Sequence, residues 1–241
     1  MNGAENLLRS LHGAGVDVCF ANPGTSEMQF VDALDRTRLM HCVLGLFEGV
    51  VTGAADGYAR MARKPAVTLL HLAPGLANAG ANLHNARKAR TPILNLLGDH
   101  AQRHLKYEAP LTADVPGTAA VFSDWVRTVR STETIAGDAM DALAAAWGHP
   151  GQVSTLIIPA DIGWDEGGEM APAERAAGAE PRALDADMLR RAAAALGPET
   201  VILCGGGVPE NPEALKGLSD IAAATGAEVM ASGPLRRAER G

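Results

Sequence analysis

The sequence predicts an α/β protein in which a doubly wound parallel sheet is followed by the beginning of a second α/β domain. Strand-like and helix-like segments alternate from residue 4 to residue 158, and such alternation is typical of parallel strands joined by helices. The predicted strands, for instance residues 66–71, are nearly continuous apolar runs, as strands buried on both faces require. Turns that contain glycine or proline follow several of these strands. Together these observations favour a sheet covered by helices on both faces.

Local signals predict the individual elements. Leucines at helical spacing indicate a first helix, and Ser26 and Gln29 stand at the spacing of a capping box, which predicts a helix that begins just after Ser26. Pro65 and Pro92 each open a strand, where a proline is tolerated. A glycine-bearing turn is expected after residue 71. The predicted helices are 4–13, the one after Ser26, 48–61, around 79–88 and 135–147, and the predicted strands are 16–20, 41–46, 66–71, 93–97, 125–129 and 153–158.

A change in composition marks the end of the first predicted domain, residues 1–162. Residues 163–183 are rich in Gly, Ala, Glu and Pro and lack apolar periodicity, so we predict a linker there. Residues 184–241 then read as an incomplete central α/β domain, too short to bury a good core alone. We therefore expect a fragment or an interrupted reading frame. The predicted helices of this part are 184–196 and 212–224, and the predicted strands are 201–204 and 227–231.

Composition excludes several kinds of partner. The formal net charge of −7 argues against binding to nucleic acid or to an anionic membrane. We find no signal-peptide pattern and no apolar stretch of membrane-spanning length, so we expect a cytoplasmic protein. Cys19, Cys42 and Cys204 each lie in or beside a predicted strand, which predicts buried, reduced thiols.

Three segments that could carry chemistry each follow a predicted strand: residues 22–24, Glu48 and residues 71–75. Ligands of open parallel sheets bind beyond the carboxyl ends of the strands, so these segments should meet at one edge. Glu48 separates an apolar run from a helix of small residues. A carboxylate buried without a partner is costly and usually functional, although a structural residue at a helix N-terminus explains Glu48 as well.

The same segments resemble a known family. Asn22-Pro23-Gly24-Thr25-Ser26-Glu27, Phe47-Glu48 with residues 55–60 (Ala-Asp-Gly-Tyr-Ala-Arg), and residues 74–78 (Pro-Gly-Leu-Ala-Asn) resemble motifs of thiamine-diphosphate enzymes. The resemblance is to the acetolactate synthase and benzoylformate decarboxylase group. It covers residues 1 to about 162, which would form the pyrimidine-binding domain. The rest of the chain resembles the start of the central domain of that group.

The resemblance implies a role for Glu48 and a set of cofactor contacts. In the family, the matching glutamate hydrogen-bonds the ring nitrogen N1′ of the aminopyrimidine, so that the cofactor generates its own carbanion. Pro23, Gly24, Gly75 and Asn78 match segments that lie near the cofactor. The acetolactate synthases usually have Ser-Gly-Pro-Gly where this chain has Leu-Ala-Pro-Gly at 72–75. This difference weakens the resemblance to the carboligases more than the cofactor assignment.

Two further residues are candidates for substrate contacts. Thr25 could offer its hydroxyl to a substrate carboxylate, and the alternative is that it only begins the following helix. His71 matches a histidine that relays protons in the decarboxylase branch, and imidazole suits proton transfer near neutral pH. The alternative for His71 is an interior histidine satisfied by a backbone carbonyl. The implied substrate is a small 2-oxo acid, used in decarboxylation or in carboligation.

The sequence lacks the Gly-Asp-Gly motif with which the family holds Mg²⁺ and the diphosphate. We therefore assign no metal ligand to this chain and expect these ligands in a C-terminal domain that it lacks. On this reading the chain alone is inactive, the complete protein is a homodimer or homotetramer, and FAD in the central domain has no support. The alternative is a non-catalytic ligand-binding or regulatory protein derived from the same fold.

Overall fold

A computed structural model describes residues 1–148, 150–172 and 184–233. The chain divides into two compact units, Met1–Gly178 and Ala179–Gly241. The division falls inside the segment predicted as a linker, of which residues 173–183 lie outside the described part. The predicted helix 184–196 and strand 227–231 belong to the second unit, as does the predicted strand 201–204.

In its described residues the first unit is built on six parallel strands in the order β2-β1-β3-β4-β6-β5. The predicted parallel sheet is thus confirmed. Strand β2 ends two residues earlier than predicted, and Gly45 begins the loop to the next helix. The strands are β1 Val18–Asn22, β2 His41–Leu44, β3 Ala66–Leu70, β4 Ile93–Asp99, β5 Trp125–Thr128 and β6 Val153–Pro159.

Helices cover both faces of this sheet, as a doubly wound fold requires. One apolar core joins α1, α2 and α6 to the sheet, and a second core joins α3, α4 and α5 to the opposite face. In the part of the chain that the structure describes, none of the helices has the length and apolar character needed to cross a membrane. The helices are α1 Gly3–Gly13, α2 Met28–Thr37, α3 Glu48–Ala62, α4 Leu72–Lys88, α5 Val115–Phe122, α6 Ile135–Trp147 and α7 Ala160–Trp164.

A chain of buried polar side chains crosses the otherwise apolar sheet. Thr68 on β3 donates its hydroxyl to Asn95 Oδ1 on β4 at 2.7 Å, and Asn95 Nδ2 donates to Thr155 Oγ1 on β6 at 3.0 Å. Ser123 Oγ lies 2.6 Å from the same Thr155 oxygen. All four residues are nearly or fully buried. Because each polar group has a partner, the chain avoids the cost of unpaired polar atoms in the core.

The start of α4 differs from the prediction. The helix begins at Leu72, directly after β3, so the predicted glycine-bearing turn and the start near residue 79 are wrong. Pro74 falls in the first turn, where the N–H that proline lacks has no helical partner anyway. The Gly75 N–H donates to the carbonyl of His71 at 2.8 Å. The Pro-Gly pair therefore belongs to the helix rather than to a loop.

The beginning of the predicted linker packs against the first unit. After α7, Glu166 forms a β-bridge with Asn2. The side chain of Asn6 donates to the carbonyl of Gly167 at 2.6 Å, and the N–H of Ala171 donates to Ser10 Oγ at 3.0 Å. The first unit therefore extends at least nine residues beyond the boundary predicted at 162, as far as Ala171.

In its described residues the second unit consists of two helices and two strands that alternate along the chain. Its two strands pair in parallel and in register, Val201 with Glu228 and Cys204 with Ala231. Asn211 caps the second helix by accepting from the N–H groups of residues 213 and 214, as asparagine does at helix starts. The elements are α8 Ala186–Ala194, β7 Val201–Cys204, α9 Pro212–Thr225 and β8 Glu228–Ala231.

Candidate functional site

The segments after β1, β2 and β3 meet at one edge of the sheet because these strands are neighbours. Asn22, at the end of β1, donates its amide to the carbonyl of Gly45 at 2.7 Å. The N–H of Gly45 in turn donates to the carbonyl of Ala21 at 2.9 Å. These two bonds fix the loop between β2 and α3 against β1, and they set the position from which Glu48 starts its helix.

Glu48 is the first residue of α3 and is 8% exposed. Its Oε2 accepts a hydrogen bond from Asn78 Nδ2 at 3.0 Å. Within the described residues its Oε1 has no hydrogen-bond partner, so this oxygen keeps its capacity to bind a ligand. The positive end of the helix dipole stabilises a negative charge at this position. The predicted residues Glu48 and Asn78 thus form one polar unit.

Helices α3 and α4 approach closely below Glu48. The hydroxyl of Thr52 donates to the carbonyl of Glu48 at 2.9 Å and lies 3.4 Å from the carbonyl of Ala79. Asn82 Nδ2 donates to the carbonyl of Gly49 at 2.6 Å. The small residues of α3 permit these contacts between the two helices. These contacts fix the position of Glu48 on α3 relative to Asn78 on α4.

His71 is the N-cap residue of α4. The sharp turn from strand to helix is completed by Leu72, a buried residue with φ of 49° in the left-handed region, where leucine is uncommon. His71 Nδ1 lies 2.8 Å from Glu27 Oε2. A Cβ added to Gly24 would lie 2.3 Å from the same nitrogen. The ring of His71 therefore packs directly on Gly24, and no larger residue fits there without displacing it.

Glu27 is a site residue that the sequence analysis did not single out. Its carboxyl is fully buried, and its Oε2 accepts from the N–H of Gly24 at 2.7 Å as well as facing His71. Oε1 has no hydrogen-bond partner in the described residues and lies against Gly98. Burial raises the pKa of Glu27, although the Gly24 N–H and His71 oppose the change, and Asp99 raises it further.

The contacts of Glu27 position the ring of His71. Glu27 Oε2 accepts from the N–H of Gly24 and lies within hydrogen-bond distance of His71 Nδ1. When Glu27 is ionised it accepts from Nδ1–H, and the lone pair of the neutral imidazole then lies on Nε2. The signal in the sequence was an acidic residue at the end of the Asn-Pro-Gly motif.

The predicted capping box of Ser26 and Gln29 is wrong. Gln29 Nε2 donates to the backbone carbonyl of Ser26 at 2.9 Å, and Ser26 makes no side-chain cap in the described structure. A short 3-10 helix, Thr25–Glu27, leads into α2 instead. Glu27 reaches back to the N–H of Gly24 as the acidic residue of a capping box does. The Glu27 carboxylate therefore both caps this turn and contacts His71.

Gly75 lies between the side chains of Glu48 and His71. A Cβ on this residue would lie 3.0 Å from Glu48 Oε1 and 3.4 Å from His71 Cβ. The missing side chain leaves the unpaired carboxylate oxygen of Glu48 uncovered on this side. Gly24, Glu27, His71, Gly75, Glu48 and Asn78 thus form a continuous cluster across the sheet edge.

Pro23 and Thr25 lie at the margins of this cluster. Pro23 lines a cavity of about 560 Å³ together with Cys42 and Leu44. Thr25 is exposed and lines a separate cavity of about 280 Å³ with His100 and Arg103. Neither side chain makes a hydrogen bond within the described residues. Over those same residues no group of three or more His, Cys, Asp or Glu side chains is placed to hold a metal ion.

Replacing Glu27 by Gln should change the pH dependence of stability. Because the folded state raises the pKa of Glu27, its contribution is fully present below the ordinary glutamate pKa and is lost as pH rises through the folded value. Glutamine does not titrate. We expect the melting temperature of the Glu27→Gln variant, relative to the unsubstituted protein, to rise between pH 4 and pH 7 by about 2–4 °C per kcal/mol of this cost.

Thermal unfolding of both proteins over that pH range measures this difference. Glu169→Gln, at an exposed glutamate of the same unit, serves as the control and should show no such trend. A difference in melting temperature that stays constant from pH 4 to pH 7 would contradict the assignment of Glu27 as a costly buried carboxylate.

Comparison with known proteins identifies the domain. Residues 1–119 match the family model for the N-terminal TPP binding domain of thiamine pyrophosphate enzymes. The first unit therefore belongs to this family as its N-terminal, thiamine-diphosphate-binding domain. The matched residues include the whole cluster of Glu27, Glu48, His71 and Asn78.

Two of the chain's relatives carry the name of an acetolactate synthase large subunit. It is 48% identical over 230 residues to the "Putative acetolactate synthase large subunit IlvX" of Mycobacterium tuberculosis, a match over 94% of this chain and 43% of that protein. It is 31% identical over 163 residues to the acetolactate synthase isozyme 3 large subunit of Escherichia coli, which covers 67% of this chain and 28% of the relative. The chain thus spans less than half the length of these relatives.

The fold is also that of solved thiamine enzymes. The crystal structure of benzoylformate decarboxylase from Polynucleobacter necessarius matches with a TM-score of 0.82 and 25% identity, over 96% of this chain and 44% of that one. A thiamin diphosphate-dependent enzyme from Mycobacterium smegmatis, described as putative, matches with a TM-score of 0.81 and 26% identity, over 99% and 46%. These matches confirm the predicted fold class and the predicted family.

Proposed function

We propose that the complete protein is a thiamine-diphosphate-dependent 2-oxo-acid decarboxylase or carboligase, and that this chain supplies the glutamate that activates the cofactor. The observation that carries the proposal is the state of Glu48. Its carboxylate is buried at a helix N-terminus, with one oxygen held by Asn78 and the other, within the described residues, without a partner beside Gly75. A buried carboxylate with a vacant acceptor oxygen suits a ligand that offers a ring N–H.

The residues of the cluster fit the aminopyrimidine end of the cofactor. Gly75 leaves open the side of Glu48 that its Cβ would fill, and the absence of a Cβ on Gly24 makes room for the ring of His71. Thiamine diphosphate, when bound, supplies an electron sink for the reaction. Glu48 would hold or release a proton at a nitrogen of the pyrimidine ring. Asn78 would keep the carboxylate in the orientation that this exchange needs.

The paired Glu27 and His71 support the decarboxylase alternative. A decarboxylation product must be protonated, and His71 Nε2 is the nitrogen left to exchange a proton when Nδ1 faces Glu27. Thr25 would contact a substrate carboxylate from the rim of the cluster. Carboligation of pyruvate is the second candidate, and the acetolactate synthase relatives favour it.

We further propose that Mg²⁺ and the diphosphate are held by residues outside this chain, which contains no Gly-Asp-Gly sequence. We assign no residue to FAD. The complete protein should therefore bind thiamine diphosphate with Mg²⁺, whereas this chain alone should bind it weakly or not at all. Isothermal titration of both proteins measures the difference. Submicromolar binding to the isolated chain would mean that the diphosphate site is located wrongly.

The same titration separates the enzyme from the non-catalytic alternative. Binding by the complete protein, without turnover of any 2-oxo acid, would support a regulatory or ligand-binding protein. Absence of binding by the complete protein would overturn both the cofactor assignment and the role of Glu48.

We also propose that the complete protein is a homodimer or homotetramer with the start of α3 near an interface. Large apolar side chains surround Glu48 and remain exposed in this chain: Leu46 is 90% exposed, Phe47 49% and Val50 59%. Contiguous exposed apolar groups of this kind are typical of interaction surfaces. Light scattering of the complete protein tests the proposal, and a monomer that retains full activity at nanomolar concentration would contradict it.

A further inference from the structure

Two of the three cysteines lie side by side on neighbouring strands. Cys19 on β1 and Cys42 on β2 are partners in the parallel register. Cys19 is buried, whereas Cys42 is exposed, so the prediction that all three thiols are buried is wrong for Cys42. The reason is the place of β2 at the edge of the sheet, where one flank of the strand has no neighbouring strand in the described structure.

The backbone places these two side chains at a distance suited to a disulfide. Neighbouring strands lie about 4.8 Å apart, and partners in register point to the same face of the sheet. A disulfide needs Cα atoms about 4.4–6.8 Å apart. The pair therefore meets the requirement on Cα spacing without a change of strand register.

The pKa values of the two thiols differ because Cys19 and Cys42 interact with each other and are buried to different extents. A hydrogen bond from Cys19 lowers the pKa of Cys42 to about 7, although partial burial opposes this effect. The same interaction, together with complete burial, raises the pKa of Cys19. The thiolate is the nucleophile in thiol chemistry. Cys42 is thus the attacking thiol and Cys19 the protected one.

A cavity gives a small reagent access to Cys42. Its volume is about 560 Å³, and Cys42 lies in its wall between β2 and α2. Apolar side chains form most of the lining, and Asp35, Arg38 and His41 are its charged or titratable members. The cavity lies on the α2 side of the sheet and does not involve Glu48 or His71.

From this arrangement we infer that Cys42 is a site of thiol–disulfide exchange with a small disulfide such as oxidised glutathione, and that Cys19 resolves the product. The Cys42 thiolate attacks one sulfur of the small disulfide, whose S–S bond breaks and releases one thiolate, which takes a proton from water. The Cys19 sulfur then attacks the Cys42 sulfur and breaks the mixed disulfide bond, and the proton of the Cys19 thiol passes to the departing thiolate, which leaves as the second thiol. The two cysteines are oxidised to a disulfide, and the small disulfide is reduced to two thiols.

Reaction of the folded chain with oxidised glutathione tests this inference. All samples carry Cys204→Ser, so that only Cys19 and Cys42 can react. Peptide mapping by mass spectrometry should show a Cys19–Cys42 disulfide and little bound glutathione. Cys19→Ser should instead accumulate a stable glutathione adduct on Cys42, and Cys42→Ser should react at least about tenfold more slowly, because only a buried thiol remains.

Circular dichroism of each variant checks that it is folded before the reaction. A persistent glutathione adduct on Cys42 in the presence of Cys19 would show that the buried thiol does not resolve it and would overturn the inference. Equal reaction rates with and without Cys42 would overturn it as well. Loss of the oxidised form on addition of dithiothreitol, with return of both free thiols, is the expected reversal.

Discussion

Replacing Glu48 by Gln in the complete protein should lower turnover by about two orders of magnitude or more, the range expected when an acid–base group is removed. Glutamine keeps the shape of the side chain and can still contact Asn78, but it cannot share a proton with a ring nitrogen. Binding of thiamine diphosphate should change far less if, as we propose, the diphosphate and the metal are held by residues outside this chain. The variant therefore separates activation of the cofactor from its binding.

Steady-state turnover and cofactor titration, performed on the same preparation, measure the two effects. Glu169→Gln, an exposed substitution in the same unit, is the matched control and should keep full activity. Unchanged turnover of the Glu48→Gln variant would contradict the proposed role of Glu48 in both decarboxylation and carboligation. Loss of cofactor binding in parallel with turnover would instead make Glu48 a binding residue.

Replacing His71 by Ala should slow release of carbon dioxide from an aromatic or branched 2-oxo acid by about tenfold or more. The substitution removes the imidazole that contacts Glu27, and with it the Nε2 atom that we propose exchanges protons. It also leaves the buried Glu27 with the Gly24 N–H as its remaining partner. If the reaction is condensation of pyruvate, the same substitution should matter little.

Carbon dioxide release and acetolactate formation, followed in one reaction mixture, distinguish the two cases. His84→Ala is a suitable control because His84 is an exposed residue of the same helix. A large loss of acetolactate formation in His71→Ala, with carbon dioxide release intact, would contradict the assigned role. A shift of the pH–rate profile in Glu27→Gln, with His71 present, would support the coupling of the two side chains.

Much of the fold could be predicted because the strands and helices carry strong local patterns. Helix α6 and strand β7 begin and end at the predicted residues. The start of α4 could not be predicted, since proline and glycine after a strand usually indicate a turn. Here the first helical turn tolerates the proline, and the glycine avoids a tight 3.0 Å contact between a Cβ and Glu48 Oε1. Tertiary contacts, rather than local propensity, determine where this helix begins.

The candidate site was only partly readable from sequence for a similar reason. Glu48, His71 and Asn78 stand in motifs that a reader can find, and the structure places them close together. Glu27 was not singled out as a site residue, because its contact with His71 joins residues that are 44 positions apart in the chain. The contact between the two cysteines could not be predicted either, since the sequence of neither strand alone determines the register between β1 and β2.

The polar chain that runs through Ser123, Thr68, Asn95 and Thr155 has a consequence for how the sheet assembles. Three neighbouring strands rich in leucine, valine and isoleucine could slide past one another at little cost in apolar contact. Any slip would separate the hydroxyl groups from the Asn95 amide and leave these polar groups buried without hydrogen-bond partners. Misaligned sheets are thereby made unfavourable during folding. His71 directly follows β3, so its position beside Glu27 depends on this alignment, and the accuracy of that part of the site begins in the middle of the sheet.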